Sequence, residues 1–157
     1  MNLTDRLRQA LELGHRRAPV LIEGDPHDPL DAPHAGTTPG AVLVPVVDRS
    51  EPTVILTVRA DTVRRHAGQI AFPGGRIDPE DADAVAAALR EAEEEIGLPR
   101  SEVEVIGTTD RYRTITGYQV TPVVGIVPPG LRLAPQPSEV AAIFEAPLDY
   151  LFQAGHQ

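Results

Sequence analysis

The chain has no cysteine and no lysine among its 157 residues, and it has no long apolar run. The absence of cysteine excludes disulfides, thiolate zinc sites and cysteine nucleophiles. The longest apolar stretches, such as residues 41–47, are too short to span a bilayer, and residues 1–8 lack the apolar core of a signal peptide. A cytoplasmic protein with no membrane partner is therefore the expectation.

Acidic residues outnumber basic ones by 23 to 14, which gives a formal net charge of −9. This charge argues against sequence-independent binding to nucleic-acid phosphates, so we expect no nucleic-acid partner. The acidity is concentrated, because residues 78–95 hold eight of the acidic residues and one arginine. A polyanionic ligand would then need a metal ion or a local basic patch for binding.

The composition, 41% hydrophobic and 24% charged, is typical of one globular domain. Leu3, Leu7 and Leu11 recur every four residues and predict an amphipathic N-terminal helix to about His15. Proline and glycine are frequent between Pro19 and Pro39, so residues 1–40 are interpreted as this helix followed by an irregular lead-in.

The remainder, residues 41–157, alternates short β-branched runs with helical segments. Pro45 predicts that the first strand lies at a sheet edge or a bulge. A short helix is expected near residues 147–153. The pattern indicates a mixed α/β (α+β) domain. The predicted strands are residues 41–47, 53–58, 69–72, 102–107, 119–127 and 140–144.

One long helix is predicted over Asp83–Ile96, an Ala- and Glu-rich run that Gly97 would end. Asp78 or Asp83 is a candidate N-cap. The apolar residues Val85, Leu89, Ala92 and Ile96 form one stripe that would pack on a sheet.

Three glutamates of this helix, Glu91, Glu94 and Glu95, share another face at spacings i, i+3 and i+4. Glu93 points elsewhere, and Arg90 precedes Glu94 by four residues, so the two can pair. Like charges at this spacing repel, and a hard divalent cation such as Mg²⁺ takes several carboxylate ligands. The alternative interpretation is a solvated acidic face.

Two features lie upstream of the acidic helix. Gly74 and Gly75 let backbone N–H groups approach a ligand oxygen closely, although Pro-Gly-Gly is also a common turn. Arg59, Arg64 and Arg65 make residues 59–76 locally positive, and their alternative role is exposed solubilising arginine. A basic patch beside carboxylates suits a phosphorylated substrate bridged by metal.

The run Arg90–Leu98, Arg-Glu-Ala-Glu-Glu-Glu-Ile-Gly-Leu, resembles the core of the Nudix box, Arg-Glu-apolar-x-Glu-Glu-x-Gly-apolar, at every specified position. The box spans residues 75–98. It departs from the family pattern at Asp81, where the family has glutamate, and the gap from Asp81 to Arg90 is one residue longer. The resemblance implies a Nudix fold, a mixed β-sheet sandwiched between helices.

A second pattern precedes the box, and it is similar to that of coenzyme A pyrophosphatases of the Nudix class. It comprises Ile55–Ala60, Arg64, Gly68 and Phe72–Gly75, with Ile55 and Ala60 as mild departures. Segments 116–125 and 139–148 are also similar to this subfamily. Its members usually continue well beyond the equivalent of Gln157, so a truncated or naturally short domain is expected.

The resemblance implies hydrolysis of the pyrophosphate bond of coenzyme A to adenosine 3′,5′-bisphosphate and 4′-phosphopantetheine, with Mg²⁺ or Mn²⁺ as cofactor. It gives Glu91, Glu94 and Glu95 as metal ligands, and it makes one of the helix carboxylates or Glu139 the general base. Arg90 would orient the glutamates.

The substrate side of the prediction comprises Arg59, Arg64, Arg65, Gly74, Gly75 and Tyr118. Tyr118 would stack on adenine, or else be a buried core tyrosine. His66 is interpreted as a structural hydrogen-bonding group.

Two alternative functions stay open. The first is hydrolysis of another substrate, such as ADP-ribose, a dinucleoside polyphosphate or an oxidised nucleotide. The second is a Nudix module that binds a nucleotide without cleaving it. The oligomeric state is also open, with a homodimer as one alternative.

Overall fold

Residues 2–15, 22–23, 37–60, 68–114 and 117–151 are described by the structure, a computed structural model. In chain order they form α1 (Leu3–His15), β1 (Ile22–Glu23), β2 (Thr38–Val47), β3 (Thr53–Arg59), β4 (Ile70–Ala71), β5 (Gly74–Arg76), α2 (Ala84–Ile96), β6 (Glu104–Thr108), β7 (Tyr112–Arg113), β8 (Tyr118–Val127), β9 (Val140–Pro147) and α3 (Leu148–Leu151). A single 3₁₀ turn, Arg100–Glu102, follows α2.

The strands belong to one mixed sheet with the order β1-β7-β8-β2-β3-β4. β5 pairs with β2, β6 with β8 and β9 with β3. β2 and β8 are parallel over ten residue pairs, from Thr38 with Tyr118 to Val47 with Val127, whereas β3 is antiparallel to β2 and β9. This mixed sheet with helices packed against it confirms the predicted α/β class.

β2 lies inside the sheet, so the prediction that Pro45 marks an edge or a bulge is wrong. Pro45 is fully buried and faces Gly125 of β8 in an unbroken register. On the other side, β2 pairs with β5 through Gly40–Val42 and with β3 through Val46–Val47. Pro45 occupies the interval between those two partners, where the missing N–H costs no ladder hydrogen bond.

α2 forms as its sequence predicts. Asp83 caps it by accepting a 2.8 Å hydrogen bond from the Ala86 N–H, and Gly97 ends it in the left-handed region at φ 67°. Its apolar stripe packs on the sheet, with Ala92 and Ile96 buried against a core that includes Ala41, Leu43, Val47, Ile55, Val123 and Val127. α2 thus packs one face on the sheet and carries the glutamates on another face.

The predictions for the two ends of the chain are only partly confirmed. α1 confirms the predicted helix, and Leu11 packs near Gly107 of β6. The lead-in is not wholly irregular, because Ile22–Glu23 pairs in parallel with Tyr112–Arg113, and β2 begins at Thr38. α3 covers residues 148–151 of the last predicted helix, and the rest lies outside the described residues. In the described ranges, no helix has the length and apolar character needed to cross a membrane.

Candidate active site

Three glutamates converge where α2 meets the segment before β9. Glu91 and Glu95 lie one turn apart on α2, and Glu139 lies in the turn that precedes β9. One carboxylate oxygen from each comes within 4.8 Å of the other two. The geometry brings together side chains that are more than 40 positions apart in the sequence.

Backbone hydrogen bonds fix Glu139 against the helix. The Ala134 and Gln136 N–H groups donate to the carbonyls of Ile96 and Glu95, at 3.0 and 2.8 Å, and so dock the segment on the end of α2. The Glu139 carbonyl then accepts a 3.0 Å bond from the Ala60 N–H at the end of β3. These bonds satisfy terminal helix carbonyls and set the position of the third carboxylate.

Glu95 is buried, with 8% of its surface exposed. Burial and, secondarily, the neighbouring Glu91 raise its pKa from an ordinary 4.5 to about 8, although the Gly74 N–H donates a 3.2 Å bond to its Oε2. Burial also raises the pKa of Glu91, against the lowering effect of Arg90. The mutual repulsion of three carboxylates crowded in this way is poorly compensated. Their hard oxygen atoms fit a divalent cation such as Mg²⁺.

Arg90 links the helix to the segment before it. Its Nε and NH2 donate to both oxygens of Asp81, at 3.0 and 2.9 Å, and its NH2 also donates to the Arg76 carbonyl. Its NH1 donates to Glu91 and Glu94, at 3.1 and 3.2 Å. Arg90 therefore connects the buried Asp81 carboxylate to the Glu91 carboxylate at the site.

Asp81, whose role the departure from the Nudix pattern leaves open, is the anchor of this network. Its side chain is 6% exposed, and the bonds from Arg90 hold its pKa below the ordinary range. It also accepts a 2.8 Å bond from the Asp78 N–H, which closes the turn before α2. The shorter side chain and the additional residue before Arg90 still place a two-oxygen acceptor opposite the guanidinium.

Glu94 lies outside the group of three carboxylates, and Glu139 is part of it. The Glu94 side chain is 59% exposed and contacts Arg90, as the i, i+4 spacing predicts. Glu93 pairs with Arg100 at 3.0 Å on an exposed face, which agrees with the orientation expected for it. The assignment of Glu91, Glu94 and Glu95 as metal ligands stays a prediction, and the structure brings Glu91 and Glu95 together.

The two glycines of β5 let this strand lie close to β2 and to the glutamates of α2. A Cβ on Gly75 would lie 2.9 Å from the Glu91 carboxyl carbon, and one on Gly74 would lie 2.6 Å from the Val42 Cα. Gly74 also donates its N–H to Glu95. The segment is thus a strand that packs on β2 and contacts both helix glutamates, and its predicted role in substrate binding stays a prediction.

A cleft of roughly 780 Å³ opens beside the three carboxylates. Its other charged lining residues are Arg59, Arg76 and Arg113, and its aromatic lining residues are Phe72, Tyr112 and Tyr118. Tyr118 is half-buried in the cleft wall and is not a core residue. The Arg59 Nε is buried and has no hydrogen-bond partner among the residues described. Arg64, Arg65 and His66 lie outside the described ranges.

Arg76, Tyr112 and Arg113 are among the cleft residues that the sequence interpretation did not assign to the site. Arg113 is 5% exposed, which is rare for a charged side chain, and Tyr112 precedes it in β7. A hairpin pattern in the sequence could have identified Tyr112 and Arg113. The pairs Tyr112–Arg113 and Tyr118–Gln119 flank a short segment that ends in Gly117, which is typical of a hairpin. In the structure the hairpin register places Tyr112 opposite Val120, diagonal to Tyr118.

The raised pKa of Glu95 predicts a stability profile for the metal-free chain. Between pH 4.5 and 8 the folded state binds more protons than the unfolded state, so the free energy of unfolding falls as pH rises through this window. We expect a loss on the order of a few kcal/mol, with a much flatter profile in Glu95→Gln. Urea unfolding in EDTA at several pH values measures this. The same pH dependence of the unfolding free energy in both proteins would contradict it.

A family model named NUDIX domain matches residues 37–155. Among curated proteins, the "uncharacterized Nudix hydrolase NudL" of Escherichia coli K12 is 55% identical over 115 residues, and that of Cronobacter sakazakii is 56% identical over 115 residues. In both cases the match covers 73% of this chain and 60% of the relative. The matched region thus spans less than two thirds of these relatives.

Solved structures share the fold. A Caenorhabditis elegans Ap4A hydrolase in a binary complex has a TM-score of 0.61 at 17% identity, covering 70% of this chain and 80% of that one. The Mycobacterium smegmatis Nudix hydrolase RenU has a TM-score of 0.59 at 25% identity, covering 74% and 73%. Since the family model spans most of the chain and the same fold recurs in these structures, the chain belongs to the Nudix family.

Proposed function

We propose that the chain is a metal-dependent hydrolase of nucleoside diphosphate derivatives, and that its substrate is coenzyme A. One observation carries the hydrolase proposal: the carboxylates of Glu91, Glu95 and Glu139 meet within 4.8 Å at the wall of a cleft that is also lined by arginines. Carboxylates hold a divalent cation, and the cation with the arginines offsets the charge of a pyrophosphate.

The coenzyme A part of the proposal is supported by where the second sequence pattern lies. Arg59, Phe72 and the two glycines of that pattern line the same cleft as the glutamates of the box. The pattern that resembles coenzyme A pyrophosphatases therefore has access to the same ligand as the carboxylates. A cytoplasmic location and a homodimer stay predictions.

Glu91, Glu95 and Glu139 would hold Mg²⁺ or Mn²⁺, which when bound supplies Lewis-acid polarisation of a phosphoryl oxygen and a water of lowered pKa. Arg90 positions Glu91 through its 3.1 Å bond and is itself held by Asp81. Arg59 lies near Glu95 and has a buried Nε donor directed to no described partner, so it can donate to a phosphate oxygen.

In the proposed reaction, water attacks one phosphorus of the pyrophosphate, a new P–O bond forms and the anhydride P–O bond breaks. A carboxylate takes the proton of the attacking water. Glu139 and the helix glutamates are the candidates for this base. The products are adenosine 3′,5′-bisphosphate and 4′-phosphopantetheine.

A product screen tests the substrate. The chain is incubated with coenzyme A, ADP-ribose, a dinucleoside polyphosphate and an oxidised nucleotide, each with Mg²⁺ or Mn²⁺, and the products are separated by chromatography. We expect kcat/KM for coenzyme A to exceed that for the others by about tenfold or more, and EDTA to stop the reaction.

Each other outcome of the screen selects an alternative. Faster turnover of ADP-ribose or another nucleotide would assign a different Nudix substrate. Tight metal-dependent binding without turnover of any compound would assign a nucleotide-binding module and would contradict the hydrolase proposal.

A further inference from the structure

The segment that carries Glu139 is held by its main chain. Residues 134–139 are all exposed, so burial of apolar surface contributes little to holding them. The Ala134 and Gln136 N–H groups donate to the last carbonyls of α2, and the Glu139 carbonyl accepts a bond from the Ala60 N–H at the end of β3. The position of the Glu139 carboxylate therefore depends on the conformation of a short, exposed stretch of backbone.

Proline alternates with the donor residues of this segment. Its sequence begins Ala134-Pro135-Gln136-Pro137, so each residue that donates its N–H to α2 is followed by one that has no N–H. A residue that precedes proline is restricted to extended conformations. In an extended chain, the N–H groups of every second residue point to the same side. The two prolines thus favour the conformation in which Ala134 and Gln136 can both donate to the helix.

Pro137 also restricts the turn on which Glu139 lies. The Gln136 carbonyl accepts a 3.0 Å bond from the Glu139 N–H and a 2.8 Å bond from the Val140 N–H. The first of these bonds closes a four-residue turn, 136–139, with Pro137 in its second position. Proline is favoured at this position because its ring sets the φ that the turn needs. Glu139 is therefore the last residue of a turn whose geometry is restricted by proline.

We propose that Pro135 and Pro137 are positioning residues that pre-organise Glu139 for the divalent cation that it would hold with Glu91 and Glu95. The inference rests on the proposed function for its ligand and extends it by naming what holds the third carboxylate in place. The two prolines do not determine where the segment docks, which depends on α2 and β3. They reduce the number of conformations open to the undocked segment, so less order has to be imposed on Glu139 when the cation binds.

The affinity for Mn²⁺ without substrate tests this inference in the absence of turnover. We expect Pro135→Ala and Pro137→Ala each to weaken Mn²⁺ binding by about two- to fivefold, and the double variant by about tenfold, because each change frees one backbone φ angle. Isothermal titration calorimetry measures the affinity. Pro129→Ala is the matched control, since Pro129 is an exposed turn proline outside the segment, and its affinity should equal that of wild type.

A double-mutant cycle with Glu139→Gln separates positioning from general stability. If the prolines act through the Glu139 carboxylate, adding Pro135→Ala/Pro137→Ala to Glu139→Gln should weaken Mn²⁺ binding no further. A role in stability alone would give the same loss with and without the carboxylate, and that result would overturn the inference. An unchanged affinity in Pro135→Ala/Pro137→Ala would overturn it as well. Urea titrations of each variant verify that the chain is folded.

Amide hydrogen exchange gives a second readout that needs no metal ion. The Gln136 N–H is bonded to α2 only while the segment is docked, so it should exchange about tenfold faster in Pro135→Ala/Pro137→Ala than in wild type, after correction for intrinsic rates. The Ala86 N–H, which is bonded to Asp83 at the other end of α2, should exchange equally in both proteins. Equal exchange of the Gln136 N–H in both proteins would overturn the inference.

The two proposals fail separately. Weaker Mn²⁺ binding in the proline variants of a chain that does not cleave coenzyme A would support the positioning role and remove the proposed substrate. Cleavage of coenzyme A, with Mn²⁺ affinity and Gln136 exchange the same in wild type and Pro135→Ala/Pro137→Ala, would remove the positioning role and leave the proposed function in place. A wild-type chain that binds no Mn²⁺ would overturn both.

Discussion

Glu95→Gln is expected to lower kcat by about a thousandfold while the chain stays folded, and Glu91→Gln is expected to act similarly. The amide keeps the shape of the side chain and removes the charged oxygen that would bind the metal ion. Loss of a residue that only supports a metal ligand costs about 10–100-fold, so loss of a ligand should cost more. The measurement is kcat with saturating Mg²⁺, together with metal affinity by calorimetry.

Glu93→Gln is the matched control, because Glu93 lies on the same helix, is paired with Arg100 and does not line the cleft. It should retain wild-type kcat. Thermal melts separate catalysis from folding, since Glu95→Gln removes a buried charge and should melt above wild type in EDTA at pH 8. A fully active Glu91→Gln/Glu95→Gln double variant would refute the metal assignment.

The fold could be predicted from the sequence wherever an element carries a repeated signal. α2 has a capping aspartate, a 3.6-residue apolar stripe and a terminal glycine, and all three act as predicted. β1, β5 and β7 have two or three residues each, which is too short for a period to be visible. β5 and β7 form by pairing with the ten-residue strands β2 and β8, and β1 pairs in turn with β7.

Pro45 shows a second limit of prediction. The rule that proline avoids central strands concerns the hydrogen bond it cannot donate. Whether that bond is needed depends on which residues of β3 and β5 lie opposite, and this is a property of the tertiary register. The local sequence around Pro45 does not contain that information.

The candidate site, too, could be predicted from the sequence only in part. Helical spacing is sufficient to bring Glu91 and Glu95 together, because both lie on one element. Glu139 joins them through the docking of the segment after residue 133 on the end of α2, which no local pattern encodes. Glu94 shares the helix but is drawn to Arg90, whose position depends on Asp81 in the preceding turn.

Gly75→Ala is expected to lower kcat by about a hundredfold with little change in stability. The added Cβ would lie 2.9 Å from both Cδ and Oε1 of Glu91 and 3.2 Å from its Oε2, so the carboxylate must move. The obstructed group is the end of a flexible side chain, which can rotate away without disturbing the sheet. A displacement of about 1 Å at a catalytic group is sufficient for a loss of this size. Steady-state kinetics and Mg²⁺ titration measure the effect.

Gly74→Ala is the comparison that separates the two glycines. Its Cβ would overlap the Ala41 carbonyl oxygen and lie 2.6 Å from the Val42 Cα, and these are backbone atoms of β2 that cannot rotate away. We therefore expect this variant to lose about 3 kcal/mol or more of unfolding free energy in urea titrations. Because both variants add one methyl group to adjacent residues of β5, a shared loss of general packing would affect them alike. A Gly75→Ala variant that is unstable, or one that is stable with wild-type kcat, would contradict the placement of Glu91 against this strand.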